Sequence, residues 1–326
     1  MRILLLNSYC YYGGPLVISQ LCAELRKLGY DAQLLMAPFF PHEYYPSWKY
    51  KIHIFLYQMK ALFLKCMTKI LPRVKCFWSI KNLDLRYTQV EGVKYAFFPF
   101  VGNNDIVIYP EQFYGNPVGA KNVVRWLLYH YNYEKDATAY KKKDLFIAFR
   151  KVFNSPNLNP QNYIVKIEYF NDKLYRKYNC GERTGNCYIL RKGKFRDDLP
   201  KTFDGPVFDD NMSQEEFVKI LNTCKYCYDY DTQTFYATIA AVCGCIPVIK
   251  FEDNKRLNSY RSNDELEHPG IAWGDSPEQI QYAIETRVQL LKSLDFSQSN
   301  RKNALKLVDI LHQHFGMPIK EYKLCD

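Results

Sequence analysis

The sequence predicts an α/β protein with two Rossmann-like domains that face each other across a cleft. Two observations lead to this prediction. Short apolar segments that read as strands alternate with amphipathic segments that read as helices. The alternation occurs twice, in two halves of similar length, and it is typical of parallel sheets with helical connections. Because such domains bind ligands beyond the carboxyl ends of their strands, we expect the functional residues there.

The first half contains a strand, a glycine loop, a helix and a second strand in that order. Residues 2–6 (RILLL) read as a buried strand, and residues 16–30 carry apolar side chains near helical spacing. Gly29 ends the predicted helix, and residues 31–37 (DAQLLMA) read as the next strand. A further strand is predicted at residues 105–110 (DIVIYP), followed by a loop.

The second half begins after residues 154–162, an Asn- and Pro-rich segment that reads as a linker or a surface loop. We therefore predict domains at 1–160 and 161–326, with the last helix free to cross back onto the first domain. The strand and helix pattern resumes and includes a helix-like run within residues 230–249. Ser276 is the predicted cap of a C-terminal helix, with proline and glutamine behind it.

The composition indicates a globular chain with an excess of positive charge. Its 326 residues, 48% of them hydrophobic, are enough for two buried cores. The formal charge of +10 favours anionic partners such as nucleotides or phospholipid surfaces. The positive residues are scattered and form no stripe interleaved with aromatic residues, so we do not expect nucleic-acid binding.

We expect a cytoplasmic protein without a metal site. The first apolar run is too short for a signal peptide, and no stretch approaches the roughly 18 to 20 apolar residues of a membrane-spanning helix. The 11 cysteines are therefore expected to be reduced. The pairs Cys224/Cys227 and Cys243/Cys245 have metal-like spacing, but we interpret them as buried thiols because the second pair lies in an apolar stretch.

Gly13 and Gly14 follow the first predicted strand, where backbone N–H groups can approach an anionic ligand. A plain tight turn is the alternative interpretation. The loop does not have the pattern GxGxxG, which argues against an NAD-dependent dehydrogenase.

The second half places polar and charged residues at two strand ends. Four basic side chains follow one strand: Arg191, Lys192, Lys194 and Arg196. They are positioned to hold a diphosphate, with a solvated basic turn as the alternative. Asp231, Thr232, Gln233 and Thr234 precede a small-residue helix, whose N-terminus is a potential anion site. Asp231 is predicted either to contact donor hydroxyls or only to cap that helix.

These segments carry a family resemblance. Residues 185–193 (GNCYILRKG) and 212–249 (ending in IAAVCGCIPVI) resemble the donor-binding domain of GT-B-fold nucleotide-sugar-dependent glycosyltransferases, and residues 2–35 resemble the opening of that family's first domain. The resemblance implies a nucleoside diphosphate sugar as substrate and no separate cofactor. Many retaining members have two glutamates near the donor. The corresponding positions here are Asp231 and Ile239, so retention or inversion stays open.

Glu111 directly follows the strand at 105–110 and is our candidate catalytic base, with a surface acid in a loop as the alternative. Asn116, Arg125 and His130 are weaker candidates. A retaining mechanism would require no base of this kind.

Residues 51–73 predict a basic amphipathic helix. Its apolar face carries Leu56, Met59, Phe63, Met67 and Ile70. Such a helix either lies on an anionic membrane surface or packs against a core.

The sequence thus predicts a glycosyltransferase that moves a sugar from a nucleoside diphosphate to a saccharide or lipid-linked acceptor, in polysaccharide or glycoconjugate synthesis. The alternatives are a nucleotide-sugar epimerase on the same scaffold and a non-catalytic binding subunit. The donor base and sugar, the acceptor, the linkage and the oligomeric state stay open.

Overall fold

The computed structural model describes residues 1–8, 13–37, 47–70, 90–129, 140–141, 143–208, 212–231, 235–251 and 269–318. The chain divides into two compact units. The first consists of Met1–Tyr169 together with Phe296–Asp326, and the second consists of Phe170–Asp295.

The first unit contains a five-stranded parallel sheet. Its strands are β1 (Ile3–Asn7), β2 (Ala32–Met36), β3 (Ile106–Pro110), β4 (Asn122–Leu127) and β5 (Leu145–Ala148). They lie side by side in the order β2-β1-β3-β4-β5. The helices described in this unit are α1 (Gly14–Lys27), α2 (Ser47–Ile70) and a C-terminal helix, Ser297–Phe315.

Helices cover both faces of this sheet, which explains why its strands read as continuous apolar runs. Successive side chains of β1 point to opposite faces, as in any strand. Ile3 and Leu5 pack in one core cluster with residues of α1 and the C-terminal helix, whereas Leu4 and Leu6 pack in another with residues of α2. Every residue of β1 is therefore buried.

The first unit continues to Tyr169, beyond residue 160. Ile164 forms a parallel bridge with Ala148 at the end of β5, and Val165 and Ile167 are buried in the same core as β1. The C-terminal helix also returns to this core. Backbone and side-chain groups of Glu168 and Asn300 exchange two hydrogen bonds, of 2.8 and 2.7 Å, which fasten the start of that helix to the chain.

The second unit contains another five-stranded parallel sheet. Its strands are β6 (Asn186–Ile189), β7 (Val207–Phe208), β8 (Tyr226–Asp229), β9 (Ile246–Ile249) and β10 (Ala272–Trp273), in the order β10-β9-β8-β6-β7. Its described helices are α3 (Gln214–Thr223), α4 (Tyr236–Cys243) and α5 (Pro277–Lys292). The C-terminal helix Ser297–Phe315 is α6.

Both sheets have the same strand order when each is counted from its own first strand, namely 2-1-3-4-5. This order is one of the two common doubly wound arrangements of Rossmann-like proteins. The prediction of an α/β chain with two Rossmann-like halves is confirmed.

Local signals fix the helix ends of the second unit. The Ser276 side chain accepts a hydrogen bond from the Gln279 N–H at 3.3 Å and caps α5, as predicted. Ser213 caps α3 in the same way, through the Glu216 N–H at 3.1 Å. Helix α4 ends at Gly244, whose φ of +100° lies in the left-handed region that favours glycine.

Candidate functional site

The strand order of each sheet reverses direction between its first and third strands. Connections from these two strands leave toward opposite faces, so a crevice opens between them at the carboxyl ends. In the second unit this switch point lies between β6 and β8. The residues that follow β6 form a short 3-10 turn, Arg191–Phe195, and β8 ends at Asp229. The predicted donor residues Arg191 and Asp231 therefore both lie at the switch point.

Arg191 is held over the first turn of α4. Its guanidinium Nη1 donates a 2.6 Å hydrogen bond to the hydroxyl of Tyr236, the first residue of α4. The guanidinium carbon also lies 4.8 Å from the centre of the Tyr236 ring and 5.9 Å from that of Phe208. The Arg191 backbone has φ +36°, an unusual conformation for a residue other than glycine. A cation thus lies beside a helix N-terminus, and both favour a bound anion.

Two buried carboxyl groups lie at the end of β8. Asp229 Oδ1 accepts a 2.8 Å hydrogen bond from the Asp231 N–H, and both side chains are buried. The other oxygen of Asp229, Oδ2, has no hydrogen-bond partner among the residues that the structure describes. Burial raises the pKa of Asp229 well above its usual range, and the charge of Asp231 adds to this effect. Arg191 and Arg196 oppose the rise.

The basic residues that follow β6 have different surroundings in the structure. Arg196 is fully engaged: it forms a two-pronged ion pair with Asp198, at 2.8 and 2.6 Å, and donates to the Tyr230 and Lys250 carbonyl oxygens. It therefore joins the chain ends of β8 and β9, and its contact with a diphosphate stays a prediction. Lys194 lies over the Phe195 ring and is exposed. The side chain of Lys192 lies outside the described part of the structure.

Gly193 is a site residue that sequence reasoning missed. A Cβ atom at this position would overlap the carbonyl oxygen of Tyr230, so only glycine allows the turn after β6 to lie against the end of β8. The available signal was a glycine between basic residues immediately after a strand.

Asp231 does not cap α4. The helix begins at Tyr236, and its N-cap residue is Phe235, which makes no side-chain capping bond. The capping-only interpretation of Asp231 is therefore wrong. Thr232, Gln233 and Thr234 fall outside the described residues. Ile239, at the position of the second family glutamate, is buried in the apolar core of the second unit.

The first unit has its own switch point, between β1 and β3. Asn7, the last residue of β1, donates to the Pro15 carbonyl oxygen at 2.9 Å and to the Ser19 hydroxyl at 3.0 Å, which ties the strand end to α1. Gly13 is the N-cap of α1, with φ +62° and ψ −133° and no side-chain capping bond. Its conformation requires glycine, in agreement with a tight turn. Gly14 begins the helix.

Glu111 lies at the switch point of the first unit, directly after β3, and is only 3% exposed. Its Oε2 atom accepts a 2.8 Å hydrogen bond from the Leu128 N–H. The Leu128 side chain in turn lies 3.2 Å from the place where a Cβ of Gly14 would be, so Glu111 is close to the start of α1. Burial raises the pKa of Glu111 to about 7, against the smaller opposing effect of its hydrogen bonds. The alternative of an exposed loop acid is wrong.

The weaker catalytic candidates have structural roles where they are described. Arg125 is buried and pairs with Asp144 through a 3.0 Å contact between Nε and Oδ2. Its guanidinium also donates to the Phe113 carbonyl oxygen at 2.8 Å. Asn116 bonds both backbone groups of Ala120 and closes the loop after β3. His130 lies outside the described residues.

Within the described ranges, no three His, Cys, Asp or Glu side chains are arranged to hold a metal ion. Cys224, Cys227, Cys243 and Cys245 are buried free thiols. Of the helices in the described segments, none combines the length and the apolar character needed to cross a bilayer.

Comparisons with known proteins find only distant similarity to solved structures. No known protein family matches the sequence, and no curated protein matches it. Two solved structures are similar along most of the chain: spinosyn rhamnosyltransferase SpnG complexed with spinosyn aglycone, and spinosyn rhamnosyltransferase SpnG. The first has 11% identity and the second 10%, each with a TM-score of 0.31, 98% coverage of this chain and 97% of the other. Similarity at this level does not transfer an activity to this chain.

Proposed function

We propose that the chain is a glycosyltransferase that takes a sugar from a nucleoside diphosphate donor and transfers it to a saccharide or lipid-linked acceptor. The observation that carries the proposal is the grouping at the switch point of the second sheet. There, Arg191 lies over the start of α4, and the buried carboxyl groups of Asp229 and Asp231 end the neighbouring strand. Polysaccharide or glycoconjugate synthesis is the proposed setting.

The grouping suits both parts of a nucleoside diphosphate. Arg191 and the N-terminus of α4 favour the negatively charged diphosphate, since a guanidinium binds phosphate with two parallel hydrogen bonds. Asp231 and Asp229 Oδ2, for which the described ranges contain no hydrogen-bond partner, are the proposed acceptors for ribose or sugar hydroxyls. Lys192 and residues 232–234 are proposed as further donor contacts because they adjoin these groups in the sequence.

The first unit is proposed to supply the remaining groups. Gly13 and Gly14 present the backbone at the uncapped start of α1, which suits an anionic part of the ligand. In an inverting reaction, the acceptor oxygen bonds to the anomeric carbon as the bond to the diphosphate oxygen breaks. Glu111 is the proposed base that takes the acceptor hydroxyl proton, because a pKa of about 7 suits a base at neutral pH. The leaving diphosphate is stabilised by Arg191 and the α4 dipole without a metal.

Titration calorimetry with UDP, GDP, ADP, CMP and dTDP tests the donor site. We expect one of them to bind, and Arg191→Ala to weaken its affinity by about 10- to 150-fold, the value of a charge-assisted hydrogen bond. Arg191→Lys keeps the charge and should recover only part of the affinity. Lys225→Ala is the matched control, since it removes an exposed cation at the amino end of β8, the opposite edge of the same sheet. Equal affinities in the wild type and Arg191→Ala would contradict the proposal.

One observation favours a second candidate, a binding subunit without catalytic activity. Ile239 is an apolar core residue where many retaining family members have a glutamate. Such a subunit would bind the nucleotide and lose affinity in Arg191→Ala, but the purified chain would neither transfer nor hydrolyse the donor sugar. An epimerase would instead convert the donor sugar without any acceptor. Product analysis with the nucleotide sugar identified by calorimetry distinguishes the transferase, the epimerase and the inactive binding subunit.

A further inference from the structure

Helix α2 exposes a wide apolar face to solvent. Its buried side chains, Tyr50, Ile54 and Gln58, point into the molecule. Six large apolar side chains are exposed instead: Trp48, Ile52, Phe55, Leu56, Met59 and Phe63. At 100° per residue these six fall within an arc of about 100°. We call this set the α2 apolar face. Trp48 is 60% exposed and Phe63 is 63% exposed, so neither is a core residue.

A second segment extends the α2 apolar face. Residues 94–96 run beside β2, where Leu34 and Tyr95 form a parallel bridge, and the chain then continues into three exposed phenylalanines. Phe98 stacks on Phe55 of the helix with ring centres 5.9 Å apart, and it also contacts Phe97 and Phe100. Phe100 is 68% exposed. Contiguous exposed aromatic groups of this kind mark an interaction surface on a soluble domain.

The charged side chains of helix α2 are all of one sign. Residues 47–70 contain five lysines and neither Asp nor Glu. On the helical projection, Lys49 and Lys60 lie along one border of the apolar arc, and Lys51 lies along the other. An apolar stripe bordered by lysines on both sides matches the boundary between the acyl chains and the headgroups of an anionic bilayer.

We propose that the α2 apolar face, with Phe97, Phe98 and Phe100, docks the protein on the surface of an anionic lipid bilayer. The helix lies in the plane of the interface, with its aromatic groups among the lipid headgroups and acyl chain ends and its lysines at the phosphates. Lipid is the favoured partner because the charged side chains along the borders of the helix are all positive and the face is rich in aromatic groups. It does not depend on the proposed glycosyl transfer, since docking requires neither donor nor acceptor.

Vesicle co-sedimentation of the full chain tests this proposal. We expect the protein to pellet with vesicles of phosphatidylcholine and phosphatidylglycerol, more weakly with phosphatidylcholine alone, and less at high salt, because each lysine adds about fivefold to binding at an anionic surface. Leu56→Asp and Phe100→Asp, one in each segment of the face, should each lower the partition coefficient by about tenfold or more.

The matched control is Val288→Asp, which places the same charge on an exposed apolar position of α5 in the second unit. It should bind vesicles like the wild type. The unmutated chain gives a second readout that does not depend on the folding of a variant. Brominated lipids should quench the fluorescence of Trp48, identified by its loss in Trp48→Phe, which removes an exposed indole only.

Three results would overturn the proposal. The first is wild-type protein that stays in the supernatant with anionic vesicles. The second is an equal loss of binding in Val288→Asp and Leu56→Asp. The third is a dimer in sedimentation velocity that Leu56→Asp dissociates, without vesicle binding by the wild type. That last result would assign the α2 apolar face to a second copy of the chain.

Discussion

Glu111→Gln gives a sharp test of the buried carboxyl group beside α1. The substitution keeps the size of the side chain and an oxygen that can accept the Leu128 N–H bond, and it removes the ionisable group. In the folded protein burial raises the Glu111 pKa from 4.5 to about 7, so the folded state holds this proton more tightly than the unfolded chain does. The ionised carboxylate therefore opposes folding.

The magnitude follows from the two pKa values. Below pH 4.5 the group is protonated in both states and contributes nothing to the pH dependence of stability. Between pH 4.5 and about 7 the unfolded chain loses the proton first, so stability falls as the pH rises. Above about pH 7 the loss is complete, at roughly 3 kcal/mol, because each unit of pKa shift corresponds to about 1.4 kcal/mol. At pH 5 the loss is under about 1 kcal/mol.

Urea unfolding of the wild type and Glu111→Gln at pH 5 and pH 8 measures this effect. Tryptophan fluorescence is a suitable signal, because Trp48 and Trp126 lie in the described part of the first unit. Relative to wild type, Glu111→Gln should be more stable at pH 8 than at pH 5 by about 2 to 3 kcal/mol. Glu216→Gln makes the same chemical change at an exposed position of α3. A stability difference between wild type and Glu111→Gln that does not change with pH would show that the Glu111 pKa is not raised in the folded protein.

Three further substitutions test the structure by equilibrium unfolding. Asp144→Ala leaves the buried Arg125 guanidinium without its ion-pair partner, since both side chains are 1% exposed. The substitution should lower the free energy of unfolding by about 3–5 kcal/mol, and a loss below about 1 kcal/mol would contradict the buried pair. Gly193→Ala places a methyl group against the carbonyl oxygen of Tyr230, the residue after β8, and should destabilise the second unit by about 1–3 kcal/mol; unchanged stability would contradict this close contact. Asn300→Ala leaves the Glu168 backbone unpaired and should cost about 1–3 kcal/mol in the first unit; unfolding of α6 with the second unit would contradict its placement.

Much of the fold could be predicted because parallel strands covered on both faces have an unmistakable sequence pattern. Within the predicted strands at 2–6 and 105–110, residues 3–6 and 106–109 are uninterrupted apolar runs, and they lie in β1 and β3, two interior strands of the first sheet. Strands β7 and β10 have two residues each, so no periodicity could identify them.

The domain boundary shows what composition leaves undecided. The Asn- and Pro-rich segment at 154–162 reads as a linker or a loop. In the structure Asn159 is buried and its side chain bonds Asn154 and the backbone of Tyr163, so the segment is a packed loop within the first unit. Composition indicates a break in regular structure, but it does not indicate whether tertiary contacts continue across the break.

The sequence indicates which charged residues lie at the site, but it does not indicate which residues they contact. Arg191 and Arg196 have the same side chain and similar positions after β6, yet Arg191 faces α4 and Arg196 is engaged by Asp198. The carboxylate two residues after Arg196 was the available signal for that difference. Asp229 ends a strand in which tyrosine alternates with other residues, and this pattern does not mark the aspartate as buried. Its burial depends on chain segments that are far away in the sequence.

Hydrogen exchange of the intact chain, with and without the saturating nucleoside diphosphate, is the measurement that best tests a donor site at the carboxyl ends of β6 and β8. Bound ligand stabilises the segments that it contacts against local opening. We expect slower exchange in peptides that contain 190–196 and 229–236, at the switch point between β6 and β8, and weaker protection in Arg191→Ala at the nucleotide concentration that just saturates the wild type. Protection confined to other segments, or none at saturating nucleotide, would contradict the assignment of the donor site.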